Sequence, residues 1–396
     1  MTFELDFAEL VGNQDGHGLY LLLHAHASGS AEPSRAAPHR SAGSGGDRDR
    51  NRAAASAADF ARGLRAGGSS EEGLDAFCAA LQSWCALYSS AKKNTNVRWM
   101  ILPLLQLALA PRSAAVELDR GDKSDSHQKR LMESLREQFQ KLHRDRDRRE
   151  GALVICCELL RLYFRLGQAS QCTFLLNAVD QQSLELSVLP KALSLPLCFV
   201  WGKHCVFDGN VMGAEKRLGW ALANCPLKSF SNRRRILAYL VPCRMRQGRF
   251  PRREVLRRYG LECYEAISEA VAAGNVTQFN EELERHESEL IRLGTYLVVE
   301  QLKLLAYRNL ARHVYIIICR ELIAAGKEDM KHKQDLLTYE HAFELQDNCD
   351  ADETICVLAN LIYIGAIRGY LSDEHHKVVF GKKDPFPSAS SWCPKA

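Results

Sequence analysis

The chain has 396 residues, of which 46% are hydrophobic and 25% charged, and its formal net charge is only +4. This length allows a large core and two or three domains. Because the net charge is small, any attraction to nucleic acid or acidic partners must come from local clusters of basic residues. The longest apolar run, Trp99 to Ala110, is too short to span a bilayer, and the acidic N-terminus lacks the basic region of a secretory signal. We therefore expect no membrane insertion.

The N-terminal segment, residues 1–27, contains the pair His24 and His26. Zinc proteases of the deubiquitinating kind use such a pair together with a serine and a carboxylate, because zinc needs three protein ligands and one open position. Ser34 lies at the matching distance, but Ala37 occupies the carboxylate position. The zinc site is thus incomplete. Residues 28–71 are rich in Ala, Gly, Ser and Arg, and this low-complexity insertion is predicted to be disordered.

Helical periodicity extends over residues 72–333. Three helical pairs are predicted, each joined by a turn that contains glycine: Gly167, Gly209 and Gly248. Antiparallel pairs that cannot bury their apolar faces alone stack into a solenoid, so we predict an all-α solenoid of helical hairpins.

Chemistry-bearing motifs are missing from this sequence. It has no phosphate loop, no nucleophile elbow and no H-E-x-x-H, and its fourteen cysteines include no C-x-x-C. The adjacent Cys156 and Cys157 lie in an apolar helix without a basic neighbour, which favours a core position over a nucleophile. We predict reduced cysteines in the cytosol or nucleus, and no catalytic residue, metal or cofactor.

One segment is densely basic. Between Arg233 and Arg258 there are ten arginines against the single acid Glu254. Arginine matches phosphate geometry, which predicts nucleic-acid binding, but a solvated helix face or a dock for an acidic protein fits equally well. The candidate nucleic-acid contacts in this arginine cluster are Arg233, Arg234, Arg235, Arg252, Arg253, Arg257 and Arg258.

Residues 334–387 predict a winged helix, followed by a tail at 388–396. Ile355, Leu358, Ala359 and Ile362 recur at helical spacing, and Asp350 with Glu353 forms a capping-box pattern. Alternating apolar residues on both sides of a polar turn then predict a small β-hairpin wing.

Positive charge in this segment gathers on the wing. Arg368, Lys377, Lys382 and Lys383 are predicted to contact phosphate groups, which gives affinity without sequence readout. The predicted outward positions of the recognition helix include no Lys or Arg, which argues against major-groove reading. Those positions are Glu353, Thr354, Asn360 and Tyr363.

Three stretches resemble a known family: VEQLKLLAYRNL at 299–310, CVLANLIYIGAIRGY at 356–370 and DPFP at 384–387. They closely resemble the PCI-domain subunits of the second type of nuclear transcription-and-export complex. The resemblance is dense from about residue 151 to 387, looser from 74 to 150, and absent over the insertion. It implies a helical solenoid capped by a winged helix, working as a non-catalytic scaffold in messenger RNA export.

The resemblance also implies partners. These are a large PCI-like export scaffold subunit, a small acidic disordered protein shared with the proteasome, and RNA or single-stranded nucleic acid without strong sequence preference. It implies a location in the nucleus, with nuclear pore association and a cytoplasmic pool left open. An assembly of the proteasome-lid or signalosome type, without a nucleic-acid role, is the alternative. Candidate partner contacts are Tyr307, Arg308, Asn309, Leu310, Tyr315, Asn360 and Tyr363.

Overall fold

The computed structural model describes residues 10–11, 13–27, 47–66, 70–91, 96–122, 124–180, 189–327, 330–372 and 374–392. The chain divides into two compact units, Met1–Val200 and Trp201–Ala396. Almost all described elements are helices, with one small antiparallel sheet near the C-terminus. The predicted fold class, helical hairpins followed by a winged helix, is confirmed. The domain boundaries proposed from the sequence stay predictions.

The first unit is built around an apolar helix, α4, whose residues Leu104, Leu107 and Ala108 are fully buried. By composition, Arg98–Asp122 could cross a membrane, but 61% of its apolar window is buried, as expected for a core helix. The helices of this region are α1 (Gly16–Ala27), α2 (Asp47–Arg65), α3 (Glu71–Ser90), α4 (Ile101–Asp122), α5 (Ser126–His143), α6 (Arg149–Arg165), α7 (Ala169–Asp180) and α8 (Lys191–Phe207), which crosses the boundary at Val200.

Part of the segment predicted to be disordered is helical. Helix α2 buries Ala53, Ala57 and Phe60, and the Phe60 ring lies 5.3 Å from the ring of Phe77 on α3. Alanine has the highest helix propensity, and these three residues share one face of a helix, so low complexity here does not prevent packing. The prediction of disorder is therefore wrong for 47–65, and its parts at 28–46 and 67–69 lie outside the described residues.

The second unit continues the helical pairs. The turns at Gly209 and Gly248 have φ of 74° and 77°, a left-handed conformation that glycine adopts most easily. The predicted pairs around these two glycines are confirmed. The helices are α9 (Val211–Asn224), α10 (Phe230–Arg246), α11 (Arg253–Arg258), α12 (Cys263–Ala273), α13 (Val276–Arg285), α14 (Glu287–Leu293), α15 (Tyr296–Glu300) and α16 (Lys303–Ala324).

A winged helix follows α16. Its elements are β1 (Lys333–Asp335), α17 (Leu336–Asp347), α18 (Ala351–Tyr363), β2 (Gly369–Ser372) and β3 (Lys377–Phe380), and a short helix, α19 (Ala389–Trp392), comes after it. The strand order is β1-β3-β2, with Val378 opposite both Gln334 and Leu371. The sequence predicted the β2–β3 hairpin but missed β1, which is only three residues long.

Aromatic side chains pack the winged helix onto α16. The ring of Tyr315, on α16, lies 4.7 Å from that of Phe380, on β3. Phe386 lies 5.5 Å from Phe380, and Tyr307 stacks on Phe343 at 5.3 Å. Burying a large apolar side chain contributes roughly 1.5–3 kcal/mol, so this cluster fixes the winged helix on the long helix.

Candidate nucleic-acid interface

Basic side chains lie where β3 ends and the chain turns back. Lys382 and Lys383 are exposed and have no ion pair among the described residues. Arg368, just before β2, places its Nη1 atom 3.1 Å from the Asp384 carboxylate, which offsets part of its charge. Lys377 is half-buried at the start of β3, in register with Asp335 on β1. Lys382 and Lys383 are therefore the freest cations of the predicted wing set.

Helix α18 carries no Lys or Arg over Ala351–Tyr363. The predicted capping box is present, because Asp350 accepts from the Glu353 main-chain N–H at 2.7 Å and the Glu353 carboxylate accepts from the Asp350 N–H at 3.2 Å. Asn360 is exposed, and Tyr363 has 90% of its surface exposed. Without cations, this helix lacks the usual equipment for reading base edges.

The buried face of α18 differs from the prediction. Thr354, Leu358 and Leu361 are buried, whereas Ile355 and Ile362 are only half-buried. Thr354, predicted to face outward, is fully buried and donates from its hydroxyl to the Asp350 carbonyl at 2.9 Å. A polar side chain can occupy this position because the helix itself satisfies its hydroxyl. The half-buried residues give α18 a partly apolar outer surface.

Several members of the arginine cluster are held by acids from other helices. Arg257 donates to both carboxylate oxygens of Glu265, at 2.7 and 3.0 Å, and this hydrogen bonding lowers the pKa of Glu265. Arg253 reaches Glu269 at 2.6 Å. Arg253 also lies 3.6 Å from Glu265, and Arg244 and Arg249 both pair with Glu215. Counting acids only inside the segment overstated its free positive charge.

Other arginines of the cluster have no carboxylate partner among the described residues. Arg233 donates to the Tyr259 hydroxyl at 2.9 Å and to the main-chain carbonyls of Leu222 and Cys225. Arg234 donates to the carbonyls of Tyr259 and Gly260, both at 2.9 Å. All of these acceptors are neutral, so both guanidinium charges persist at the surface of the bundle. Three further cluster members are exposed, with no ion pair among the described residues: Arg235, Arg252 and Arg258.

Three predicted partner contacts lie in the interior. Tyr307 donates to Asp347, and burial together with this bond raises the pKa of Tyr307. Arg308 donates to the carbonyls of Phe386 and Pro387, at 2.8 and 2.7 Å. Asn309 donates to the Val271 carbonyl at 2.7 Å. With exposures of 6%, 8% and 9%, these three side chains hold the fold together and do not face a partner, which corrects the prediction.

The other predicted partner contacts divide between two environments. Leu310 and Tyr315 are half-buried, and Tyr315 is engaged with Phe380, while Asn360 and Tyr363 are exposed. Sequence reasoning missed a set of exposed apolar side chains in the winged helix: Leu337 at 53%, Leu345 at 83% and Tyr370 at 60%. The helical phase could have identified the first two, because Leu336, Tyr339 and Phe343 already define the buried stripe of α17.

The described parts of the chain show neither a reactive cysteine at positions 156 and 157 nor a cluster of metal ligands. Cys156 and Cys157 are buried, and burial raises the pKa of Cys157 to about 12, which keeps the thiol protonated. Among the described residues, no group of three or more His, Cys, Asp or Glu side chains could hold a metal. The His26 side chain of the zinc-like pattern lies outside the described residues.

Comparisons with known proteins confirm the resemblance seen in the sequence. No family profile matches the chain. It is 38% identical to PCI domain-containing protein 2 homolog of Drosophila melanogaster over 61% of this chain and 59% of the fly protein. It is 28% identical to PCI domain-containing protein 2 homolog of Dictyostelium discoideum, over 80% of this chain and 72% of that protein. Protein CSN12 homolog of Gibberella zeae matches at 27% identity, over 61% of this chain and 56% of that protein.

Proposed function

From its homology to the proteins named PCI domain-containing protein 2, we propose that this chain is a non-catalytic scaffold and nucleic-acid-binding subunit of a nuclear mRNA export complex. In this proposal it pairs with a large PCI-like subunit and a small acidic disordered protein, and the assembly binds RNA or single-stranded DNA. The aligned region spans about three fifths of the first relatives, 59% for the fly protein, so the activity of the whole protein is part of the proposal.

The division of charge in the winged helix carries this proposal. Lys382 and Lys383 project free cations from the wing, while α18 exposes Tyr363 and Asn360 without a cation. Cations on a hairpin suit contact with the phosphate backbone, which needs no fixed base sequence. A neutral helix with exposed aromatic and half-buried aliphatic residues suits contact with protein. The winged helix can thus bind nucleic acid and a protein partner on different surfaces.

Salt dependence tests the phosphate contacts. The purified chain is titrated into a fluorescein-labelled single-stranded oligonucleotide, and the affinity is measured by anisotropy. Each phosphate contact adds a slope of about −0.7 to the plot of log affinity against log salt. We therefore expect clear weakening between about 50 and about 200 mM salt, and an affinity independent of salt would refute phosphate contact.

Charge reversal on the wing locates the contact. Lys382→Glu combined with Lys383→Glu is expected to weaken oligonucleotide binding and flatten the salt slope, with unchanged circular dichroism. The matched control reverses two exposed lysines elsewhere in the same unit, Lys216→Glu with Lys327→Glu. If both double variants bind equally well, the wing is not the site.

The competing function is a structural subunit of a lid-like assembly of the proteasome or signalosome type. The match to Protein CSN12 homolog is the observation that supports this second candidate function. Affinity purification of the chain from nuclear extract separates the two. Recovery of a large PCI-like scaffold together with polyadenylated RNA is expected for the export function, while recovery of lid-type subunits without RNA would favour the alternative.

A further inference from the structure

Phe230 and Tyr259 form an aromatic pair within the arginine cluster. Their ring centroids lie 4.9 Å apart and their planes differ by 19°, so the two rings are stacked. Tyr259 is only 7% exposed, whereas Phe230 keeps 47% of its surface exposed. Tyr259 stacks on the Phe230 ring, and nearly half of the Phe230 surface stays open to solvent.

Tyr259 is the inner, buried ring of this pair, and hydrogen bonds hold it in place. Arg233 donates to its hydroxyl and Arg234 to its main-chain carbonyl, both at 2.9 Å. Both arginines extend from α10, the helix that begins at Phe230. The stack therefore connects α10 to the end of α11, and its geometry is set before any ligand arrives. A preorganised ring costs little entropy when it binds a planar group.

The charge around the stack is positive and not neutralised. The acceptors that hold Arg233 and Arg234 are uncharged, and the guanidinium carbon of Arg258 lies 5.8 Å from the centre of the Tyr259 ring. Within the described residues, none of these three arginines forms an ion pair. In contrast, Arg253 and Arg257, on the same short helix as Arg258, are paired with Glu269 and Glu265. Three of the unpaired cations of the cluster thus lie at the aromatic pair.

We propose that the Phe230–Tyr259 pair is a stacking site for a base of single-stranded nucleic acid, with Arg233, Arg234 and Arg258 as its phosphate-facing cations. Proteins that bind single strands without sequence preference combine exposed aromatic rings, on which nucleobases stack, with positively charged side chains that contact the phosphates. Here the exposed ring of Phe230 lies on the fixed ring of Tyr259 and is surrounded by unpaired guanidinium groups. An acidic peptide would need the charges but not an open ring face. The site deepens the proposed function, on which it rests, and it lies on the helical hairpins, apart from the wing in sequence.

The test uses the full chain and a single-stranded oligonucleotide that carries 2-aminopurine. Stacking on Phe230 is expected to quench the fluorescence of this base when the wild-type chain binds. Phe230→Ala should abolish the quenching and weaken binding about tenfold, because stacking on an aromatic side chain contributes roughly 1–3 kcal/mol per base. Phe230→Trp should retain both signals, while Phe230→Leu, which is apolar without a ring, should lose them.

Matched controls separate stacking from a general loss of surface. Phe174→Ala removes a phenylalanine with 81% exposure from the other unit, and Leu227→Ala removes an apolar side chain with 79% exposure three residues before Phe230. Both should bind like the wild type. Circular dichroism and the unfolding temperature verify that each variant is folded, and Phe230→Leu keeps the test valid if Phe230→Ala is unstable.

The outcomes distinguish this site from the proposed function. If the wild-type chain does not bind the oligonucleotide at all, the proposed function fails and the stacking site fails with it. If the wild-type chain binds, and the lysine reversals on the wing weaken binding while Phe230→Ala and Phe230→Leu do not, only the stacking site is refuted. The exposed ring would then be assigned to a protein partner.

Discussion

Arg308 and Phe386 lie against each other at the junction between α16 and the C-terminal segment. The Arg308 guanidinium donates to the Phe386 carbonyl at 2.8 Å, and its carbon atom lies 5.6 Å from the centre of the Phe386 ring. Burial lowers the pKa of Arg308 to about 10, so the side chain stays charged at neutral pH. One buried cation thereby satisfies main-chain oxygens that would otherwise lack a partner, and it holds the segment after β3 on the long helix.

Arg308→Met should destabilise the second unit. The substitution leaves the carbonyls of Phe386 and Pro387 buried without a donor, and hydrogen bonds to a charged group contribute about 1.5–3 kcal/mol each. We expect a loss of about 3 kcal/mol in the free energy of unfolding, measured by urea denaturation. Arg312→Met, at an exposed position one turn further along the helix, is the control and should change it by less than about 0.5 kcal/mol. Equal effects would contradict the structural role of Arg308.

Gly274→Ala tests the close approach of α12 to α16. At this position φ is 70°, and an added Cβ would lie 2.5 Å from the main-chain nitrogen of Leu310. Two costs therefore add: left-handed backbone strain of roughly 1–2 kcal/mol, and displacement of a packed helix. Gly326→Ala is the matched control, because its φ of 72° is nearly the same and no atom lies within 4 Å of the added Cβ.

The two glycine variants should differ in denaturation. Gly326→Ala is expected to cost about 1 kcal/mol and Gly274→Ala about 2–4 kcal/mol, since overpacking adds typically 1–3 kcal/mol. A similar loss for both would show that backbone strain alone decides the effect and that the helices can move apart.

Local patterns predicted the secondary structure well, because the determinants lie close together in sequence. The glycine turns at 209 and 248, the capping box at Asp350 and the β2–β3 hairpin all follow from a few neighbouring residues. The helical phase of α18 was harder. Thr354 is buried and Ile355 only half-buried, and the Asp350 carbonyl lets the polar side chain be buried by accepting from its hydroxyl.

The candidate site was less predictable, since it depends on residues far apart in sequence. Glu265 and Glu269 lie outside the segment whose charge was counted, yet they pair with Arg257 and Arg253. Composition alone could not show that Tyr307 and Arg308 are buried, because tyrosine and arginine occur both inside proteins and at interfaces. The stack of Phe230 on Tyr259 joins residues 29 positions apart, which no helical spacing connects.

His127 should make the first unit more stable at mildly acidic pH. Its Nδ1 lies 2.8 Å from the Asp119 carboxylate and its Nε2 lies 3.2 Å from Glu71, and these hydrogen bonds raise the pKa of His127 above its ordinary value of 6.5. Burial opposes ionisation of Asp119, but hydrogen bonds from Gln128 and His127 prevail and lower the pKa of Asp119. The Asp119 carboxylate also caps the start of α5, because it accepts from the main-chain N–H groups of His127 and Gln128 at 3.1 and 3.0 Å.

The sign follows from these shifts. A raised histidine pKa stabilises the fold below pH 6.5, and that stabilisation is lost as the pH rises through the higher folded value. A lowered Asp119 pKa stabilises above pH 3.8 and is lost as the pH falls through the lower folded value. Hydrogen-exchange protection at the start of α5 should therefore decrease as the pH rises from 6.5 through the higher folded pKa of His127, after correction for intrinsic exchange. His127→Gln should remove this decrease, whereas His341→Gln, at an exposed position on α17, should retain it.

Tyr363→Ala tests whether α18 contacts a protein partner. This residue has 90% of its surface exposed at the end of a helix without cations, so the fold gains little from its ring. The free energy of unfolding should change by less than about 0.5 kcal/mol. A buried tyrosine at the centre of an interface contributes on the order of 2 kcal/mol, so partner affinity should fall about thirtyfold.

Affinity for the co-purifying scaffold, measured by titration calorimetry or surface plasmon resonance, provides the readout. Leu227→Ala, with 79% exposure on the helical hairpins, is the matched control and should bind the scaffold like the wild type. Oligonucleotide binding by the isolated chain should stay unchanged in Tyr363→Ala, because the proposed nucleic-acid contacts lie on the wing and the helical hairpins and α18 carries no Lys or Arg. Loss of oligonucleotide binding together with scaffold binding would instead assign both ligands to one surface, and it would contradict the separation of helix and wing.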